Sequence, residues 1–272
     1  MPVAKRSILF VAFVYLVSCS LLVSANRVSK NPPSIHPERA ASAEAYPYPS
    51  NLSGDITFVS NYLSYGTSNT NNLPALQGSI TYTLPSQLYV SLWGSNIIIE
   101  GWKQSLELYP TIGWMGGSNA WEWYVFGAYD AYFFRPLVPN PSYFEFEGAI
   151  TRHFSKVNLR VGMTGSPNYY DNSGKTIYPF IRLDIPLQND YEIQTQLAHS
   201  FIENNARYGV PDYTAIRLGI IKAKFFGELD GAIYFYATTI PKSQCFPEGP
   251  GLPPIVNSCG PGAFITLGRS FG

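Results

Sequence analysis

From Gly54 onward, apolar and polar residues alternate along the chain, and no stretch of about 12 residues or more carries a helical stripe. Leu76, Gly78, Ile80, Tyr82 and Leu84 share one face of a predicted strand, while Gln77, Ser79, Thr81 and Thr83 share the other. The same split sets Phe144, Phe146 and Ile150 against Glu145, Glu147 and Thr151, and Val157, Leu159, Val161 and Met163 against Asn158, Arg160 and Thr164. It returns with Ile193, Leu197 and Phe201 against Glu192, Gln194 and Gln196. Twelve segments of this kind are predicted, beginning near Asp55, Leu76, Leu88, Gln104, Trp121, Ser142, Val157, Lys175, Tyr191, Tyr213, Glu228 and Pro261. An even number suits a closed bacterial barrel with both ends on the periplasmic side.

The predicted connections mostly alternate in length. Longer ones fall around 69–72, 167–174, 204–211 and 241–260, and shorter ones at 85–87 and 188–190. Residues 100–103 and 115–120 depart from the alternation, the two connections being of similar length. Long and short ends on opposite rims are a feature of membrane barrels.

Period two also describes a soluble sandwich, so other features must decide. The segments run to about 9–12 residues, the length of a tilted membrane strand rather than a soluble one. Aromatics crowd the strand ends, at Trp102, Trp114, Trp121, Trp123, Phe133, Phe134, Tyr169, Tyr170, Phe225 and Phe226, where interfacial girdles sit. The final segment alternates Ile265, Leu267 and Phe271, which makes Phe271 the candidate signal read by a barrel-assembly machinery. The pattern predicts an all-β fold, a transmembrane antiparallel β-barrel of about 12 strands over residues 54–272.

Composition agrees. Charged residues make up 13% of the chain, against roughly 25% in soluble domains, and aromatics reach 15%. Lys plus Arg equals Asp plus Glu at 18 each, so no basic excess points to nucleic acid. Residues 1–25 read as an export signal: Lys5 and Arg6, an apolar run, then Val23-Ser24-Ala25. An uncleaved membrane helix and a lipidated Cys19 are the alternatives. Residues 26–53, rich in Pro, Ser and Ala, read as a flexible periplasmic lead segment. Cys245 and Cys259 enclose a Pro- and Gly-rich stretch and could pair in an oxidising compartment or stay as thiols. No His lies near either one to suggest zinc.

One run carries a family resemblance. Ser60-Asn61-Tyr62-Leu63-Ser64-Tyr65-Gly66-Thr67-Ser68-Asn69-Thr70 is followed by Pro74-Ala75-Leu76-Gln77-Gly78, and then by Tyr89-Val90-Ser91-Leu92-Trp93-Gly94-Ser95-Asn96. This resembles the TorF-type porin family of Gram-negative bacteria. Weaker echoes continue at Glu107-Leu108-Tyr109, Tyr143-Phe144-Glu145, Ser166-Pro167-Asn168-Tyr169 and Gly268-Arg269-Ser270-Phe271. The resemblance implies an outer-membrane porin. Tyr65 stands where that family tends to carry Arg, and Asn61 where it tends to carry Asp, so no ion preference carries over.

If the apolar faces meet lipid, the opposite faces hold Glu107, Glu122, Glu145, Glu147, Arg160, Arg182, Asp184, Glu192, Arg217, Glu228 and Asp230. These are the candidate pore-lining charges, and both signs could form a transverse field in a narrow lumen. An interior salt-bridge network that plugs the barrel is the competing reading. No catalytic residue, cofactor or metal is expected. Gly116-Gly117-Ser118-Asn119-Ala120 looks like a nucleophile elbow but joins two strands. Gly174-Lys175-Thr176 ends like a phosphate loop without its first Gly. His36, His153 and His199 have no ligand partner at metal spacing. The expected function is passive diffusion of small hydrophilic solutes across the outer membrane, with lipid, assembly machinery and small polar solutes as partners. A plugged adhesive barrel and an outer-membrane lipolytic enzyme are the alternatives.

Overall fold

A computed structural model describes residues 52–98, 105–133, 141–245 and 258–272. Its strands are β1 (Leu52–Val59), β2 (Leu63–Ser64), β3 (Thr67–Ser68), β4 (Ala75–Thr83), β5 (Leu88–Ile97), β6 (Ser105–Gly117) and β7 (Trp121–Phe133), followed by β8 (Tyr143–His153), β9 (Asn158–Ser166), β10 (Thr176–Pro186), β11 (Tyr191–Ile202), β12 (Tyr213–Phe226), β13 (Leu229–Thr238) and β14 (Gly262–Phe271). Twelve of them form one closed barrel in which each strand pairs with its sequence neighbour and β14 returns to β1; β2 and β3 make a separate small hairpin. Every pairing is antiparallel, and Gly54 faces Phe271 where the sheet closes. Closure leaves no edge strand with unpaired backbone groups, the condition for crossing hydrocarbon with strands.

The barrel is greasy outside and polar inside. On β8, Phe144 is 59% exposed while Glu145 beside it is 2% exposed, and the alternation continues through Phe146, Glu147, Ile150 and Thr151. Leu76, Ile80 and Tyr82 face out on β4 while Gln77 and Thr81 face in. A soluble protein would bury the first set; here hydrocarbon does so.

Connections segregate strictly by rim. Residues 84–87, 118–120, 154–157, 187–190 and 227–228 join strands at one end, together with both ends of the barrel chain. At the other end the chain leaves β1, β5, β7, β9, β11 and β13, and among the described residues the connections there are 60–74, 167–175 and 203–212. The predicted break in the alternation is corrected: β6 runs on through Met115, Gly116 and Gly117, so the connection after it is short. The elbow-like Gly116–Ala120 run is thus a strand end and a turn. Asn189 and Asp190 adopt left-handed φ of 58° and 60°, which Asn and Asp tolerate in tight turns.

Aromatic positions receive a partial correction. Trp114, Trp121 and Trp123 are exposed near the short-turn rim, where the Trp114 indole donates to the Ser86 carbonyl at 2.9 Å and Arg152 sits 4.7 Å from the Trp121 ring centroid. Phe225 and Phe226 are exposed at the tip of the β12–β13 hairpin. Tyr169 and Tyr170 do not join an outer girdle, because they turn inward over the opposite mouth against Tyr143 and Tyr132. Trp102 and Phe134, the export signal and the lead segment up to Asn51 lie outside the described residues.

Two prolines sit mid-strand in a barrel that has no edge to hide them. Pro110 on β6 coincides with the missing pairs in the β6–β7 ladder, and Pro179 with those in the β10–β11 ladder. Register is unchanged across both gaps, so each proline removes a ladder bond without shifting a side chain to the other face.

Candidate functional site

The lumen is built from the inner faces of the twelve strands and is crossed by the β2–β3 hairpin. After β1 the chain turns inward. Ser64 pairs with Thr67, and Tyr65 and Gly66 between them take φ of 51° and 83°, the two left-handed positions of a type I′ turn. A Cβ on Gly66 would come within 2.8 Å of Thr238 and 3.0 Å of Ala215, so glycine also lets the tip approach the β12 and β13 wall.

The spacing of the 60–70 motif now has a physical reason. Ser68 Oγ donates to Asn61 Oδ1 at 2.7 Å and accepts from the Asn72 backbone N–H at 2.9 Å. Thr70 Oγ1 accepts from the Tyr62 N–H at 3.1 Å. Asn61 Nδ2 donates to the Tyr236 hydroxyl on β13, two strands from β1, at 3.2 Å. The polar residues of the motif therefore fold the hairpin on itself and tie it to the wall. Tyr62, Leu63 and Thr70 are buried.

Tyrosines carry the hairpin to the carboxylates. Tyr62 Oη donates to Glu107 at 3.1 Å, and Tyr65 Oη donates to Glu145 Oε1. Tyr109 donates to Glu145 Oε2 at 2.5 Å, and Glu147 accepts from Tyr124 at 2.5 Å and from Thr164 at 2.7 Å. Tyr213 donates to the Tyr65 carbonyl at 2.9 Å, pinning the hairpin tip to a second wall. A small cavity remains beneath the tip, lined by Tyr65, Glu145, Tyr169, Tyr178 and Ser200 among others. Above it the 167–175 and 203–212 connections cover the mouth. There Asp171 pairs with Arg207 at 3.3 Å, and Tyr169 packs on Tyr208 at 5.4 Å. Burial raises the hydroxyl pKa of both tyrosines above its ordinary value.

Each predicted lining residue has a definite place. Glu107, Glu145, Glu147, Arg160, Arg182, Asp184 and Asp230 are buried on the inner face, and Glu122, Glu192 and Arg217 are partly buried. Around the wall, Glu107, Glu122, Glu145 and Glu147 lie on β6 to β8, while Arg160, Arg182 and Arg217 on β9, β10 and β12 are interleaved with Asp184 on β10 and Glu192 on β11. Glu122 holds His153 at 3.2 Å beside the short turns, while Asp230 accepts from the Lys224 backbone N–H at 2.8 Å and closes the β12–β13 hairpin. Glu228 is a correction: it is exposed in the turn and pairs with Arg269 on the outside. Arg182 and Asp184, 2.7 Å apart, form an ion pair on the same strand and not across the lumen.

Cys245 and Cys259 are disulfide-bonded with Cα atoms 5.2 Å apart. The bond packs with Ile202, Tyr213 and Ile240, and the neighbouring Ser258 carbonyl accepts from the Ser68 N–H of the hairpin at 2.7 Å. Most of the connection between the two cysteines lies outside the described residues. Among the described residues no group of three or more His, Cys, Asp or Glu could hold a metal ion.

Residues 42–244 match the model of Gcw_chp, described as a bacterial protein of unknown function. The chain belongs to the Gcw_chp family. Its match ends before β14 and includes the hairpin and every charged wall residue named above. No match was found among curated proteins. Among solved structures, this Gcw_chp chain is similar to an outer membrane channel from Pseudomonas putida F1, with 9% identity, a TM-score of 0.51, and coverage of 83% of this chain and 97% of that one. A FadL homologue of Pseudomonas aeruginosa gives 7% identity, a TM-score of 0.43, and coverage of 73% and 67%. OprD of Pseudomonas aeruginosa gives 10% identity, a TM-score of 0.43, and coverage of 81% and 66%. The first of these shows a shared barrel fold.

Strand phase accounts for the inward positions of the wall charges other than Glu228, but Asp130, buried on β7, was missed, as were the partners of all of these residues. Tyr62, Tyr65, Tyr109 and Tyr124 were not singled out as the groups that hold the carboxylates. The one available signal for the hairpin was Tyr65-Gly66 at the centre of a short polar run, a turn cue that the resemblance had already bracketed.

Proposed function

We propose that this Gcw_chp protein is an outer-membrane channel through which small hydrophilic solutes diffuse passively, with the β2–β3 hairpin as its constriction. The carrying observation is an inner wall of Thr57, Gln77, Ser91, Glu147, Arg160 and Asp184 inside a closed barrel whose outer face is apolar. A barrel needing only to be stable would gain more by packing hydrocarbon inside than by burying charge. The TorF-type resemblance over residues 60–96 and the channel title of the Pseudomonas putida structure support the same reading.

A second reading has its own observation. The hairpin enters the lumen and is bonded to opposite walls, at Glu107 on β6 and Tyr213 on β12, as a plugged structural or adhesive barrel would require. Planar-bilayer recording separates the two. Replacing residues 62–70 with a short glycine-serine link should turn small or infrequent current steps into large ones if the barrel is a channel. A protein silent both with and without the hairpin is a structural barrel. Catalysis is outside this reading; of the two described histidines, His153 meets Glu122 and Asn158, and His199 meets Thr214 on the outer face.

A further inference from the structure

We propose that Arg160 and Arg182 form an oxyanion-binding site in the lumen that takes the carboxylate or phosphate group of a solute. The inference rests on the diffusion reading and gives it a substrate class. Arg160 on β9 and Arg182 on β10 are direct cross-strand partners, and the row continues through Gln196 to Arg217 on β12. Both arginines are more than nine-tenths buried on the inner face. Like charges directly opposite on one face repel, so something must compensate them.

Asp184 compensates Arg182 from two residues along the same strand, at 2.7 Å. Arg160 has no such partner among the described residues. Its Nε donates to the neutral Thr151 hydroxyl at 3.0 Å, and its guanidinium carbon lies 5.9 Å from the Tyr124 ring centroid. Its Nη1 is buried without a hydrogen-bond acceptor. The carboxylates of Glu122, Glu147, Asp184 and Glu192 act on it electrostatically, and none of them forms an ion pair with it. Glu147 is already engaged by Tyr124 and Thr164.

A buried guanidinium donor without an acceptor is costly. Its planar fork matches two oxygens of one anion. A neutral sugar would supply oxygen but no charge, which leaves the cross-strand repulsion in place. A carboxylate or phosphate supplies both. It would bind between the two arginines on the wall opposite the hydroxyl-rich inner faces of β4 and β5.

The test uses full-length folded protein in detergent, with inorganic phosphate and acetate as probes and chloride at equal ionic strength as reference. The readout is the temperature at which the compact electrophoretic form is lost. Phosphate should raise that temperature in the wild type, and Arg160→Gln should weaken the apparent affinity by about tenfold or more. Equal responses of wild type and Arg160→Gln, or phosphate acting no better than chloride, would overturn the proposal. Should Arg160→Gln fail to give the compact form, Arg160→Lys decides: it keeps the charge but loses the fork, and an undiminished phosphate response would reject the site. In bilayers, Arg160→Gln should shift the reversal potential in a salt gradient toward cations. Absence of any current would end the diffusion reading and leave the phosphate titration to judge the site alone.

Discussion

The Tyr109 hydroxyl donates to Glu145 Oε2 at 2.5 Å, while the Tyr65 hydroxyl donates to Oε1 of the same carboxylate. One tyrosine belongs to the wall strand β6 and the other to the hairpin that crosses the lumen. A single carboxylate therefore joins plug to wall, and hydrogen bonds to a charged group contribute about 1.5–3 kcal/mol each. Tyr65→Phe keeps the ring and removes the donor. Its open probability in single-channel records should rise severalfold with the barrel intact; an unchanged record would show that the Tyr62–Glu107 and Tyr213–Tyr65 bonds hold the hairpin without the Tyr65 hydroxyl.

Inner-wall rings lie against glycines on the adjacent strand. Tyr89 covers Gly113, and Tyr234 covers Gly219, where a Cβ would sit 2.3 Å from a ring carbon. Gly219→Val should cost about 1–3 kcal/mol through overpacking. The expected outcome is a lower yield of the compact, heat-modifiable form and a lower midpoint of unfolding in urea. A midpoint equal to wild type would mean that the ring moves freely.

The Cys245–Cys259 disulfide closes a loop of sequence separation 14 beside the Ser258 carbonyl that receives the hairpin. A loop of this length stabilises by about 3 kcal/mol in the chain-entropy model. Because the bond lies in a rim connection, its loss should loosen the mouth and spare the twelve-strand ladder. The double change Cys245→Ser and Cys259→Ser should preserve heat-modifiability and speed proteolysis of the 239–261 connection; equal cleavage rates would contradict the role.

Adjacent residues on β8 should respond oppositely to charge. Ile150→Arg places a guanidinium toward hydrocarbon and should destabilise the barrel in lipid, by less than the roughly 2–4 kcal/mol of a midplane site because its partner Trp123 lies near the rim. Thr151→Glu instead points a carboxylate into the polar lumen beside Arg160, its cross-strand partner, and should cost less. Unfolding in lipid vesicles compares the two. Equal losses would remove the distinction between faces.

The barrel itself was legible because alternation over long segments reports a local property, the face on which each side chain stands. Phe144 and Glu145 needed only strand phase to be told apart. Strand starts fell close to their predicted places for the same reason. The hairpin was less legible: the run after the first strand read as a connection around 69–72, because the hairpin's burial comes from Glu107, Glu145, Tyr213 and Tyr236, all distant in sequence. Tyr169 and Tyr170 misled in the same way. An aromatic at a strand end looks alike whether it meets the lipid interface or folds back over the mouth, and only the Tyr143 and Tyr132 contacts distinguish the two.

The central claim is that the apolar alternate residues meet hydrocarbon while their neighbours face a polar lumen. Nitroxide labels placed singly along β8, with the native disulfide intact and Cys19 replaced, test it directly in lipid vesicles. Labels at Phe144, Phe146 and Ile150 should show high collision rates with oxygen, which concentrates in the bilayer, and labels at Glu145, Glu147 and Thr151 should show low ones. A flat profile, or one with the two sets exchanged, would contradict the account.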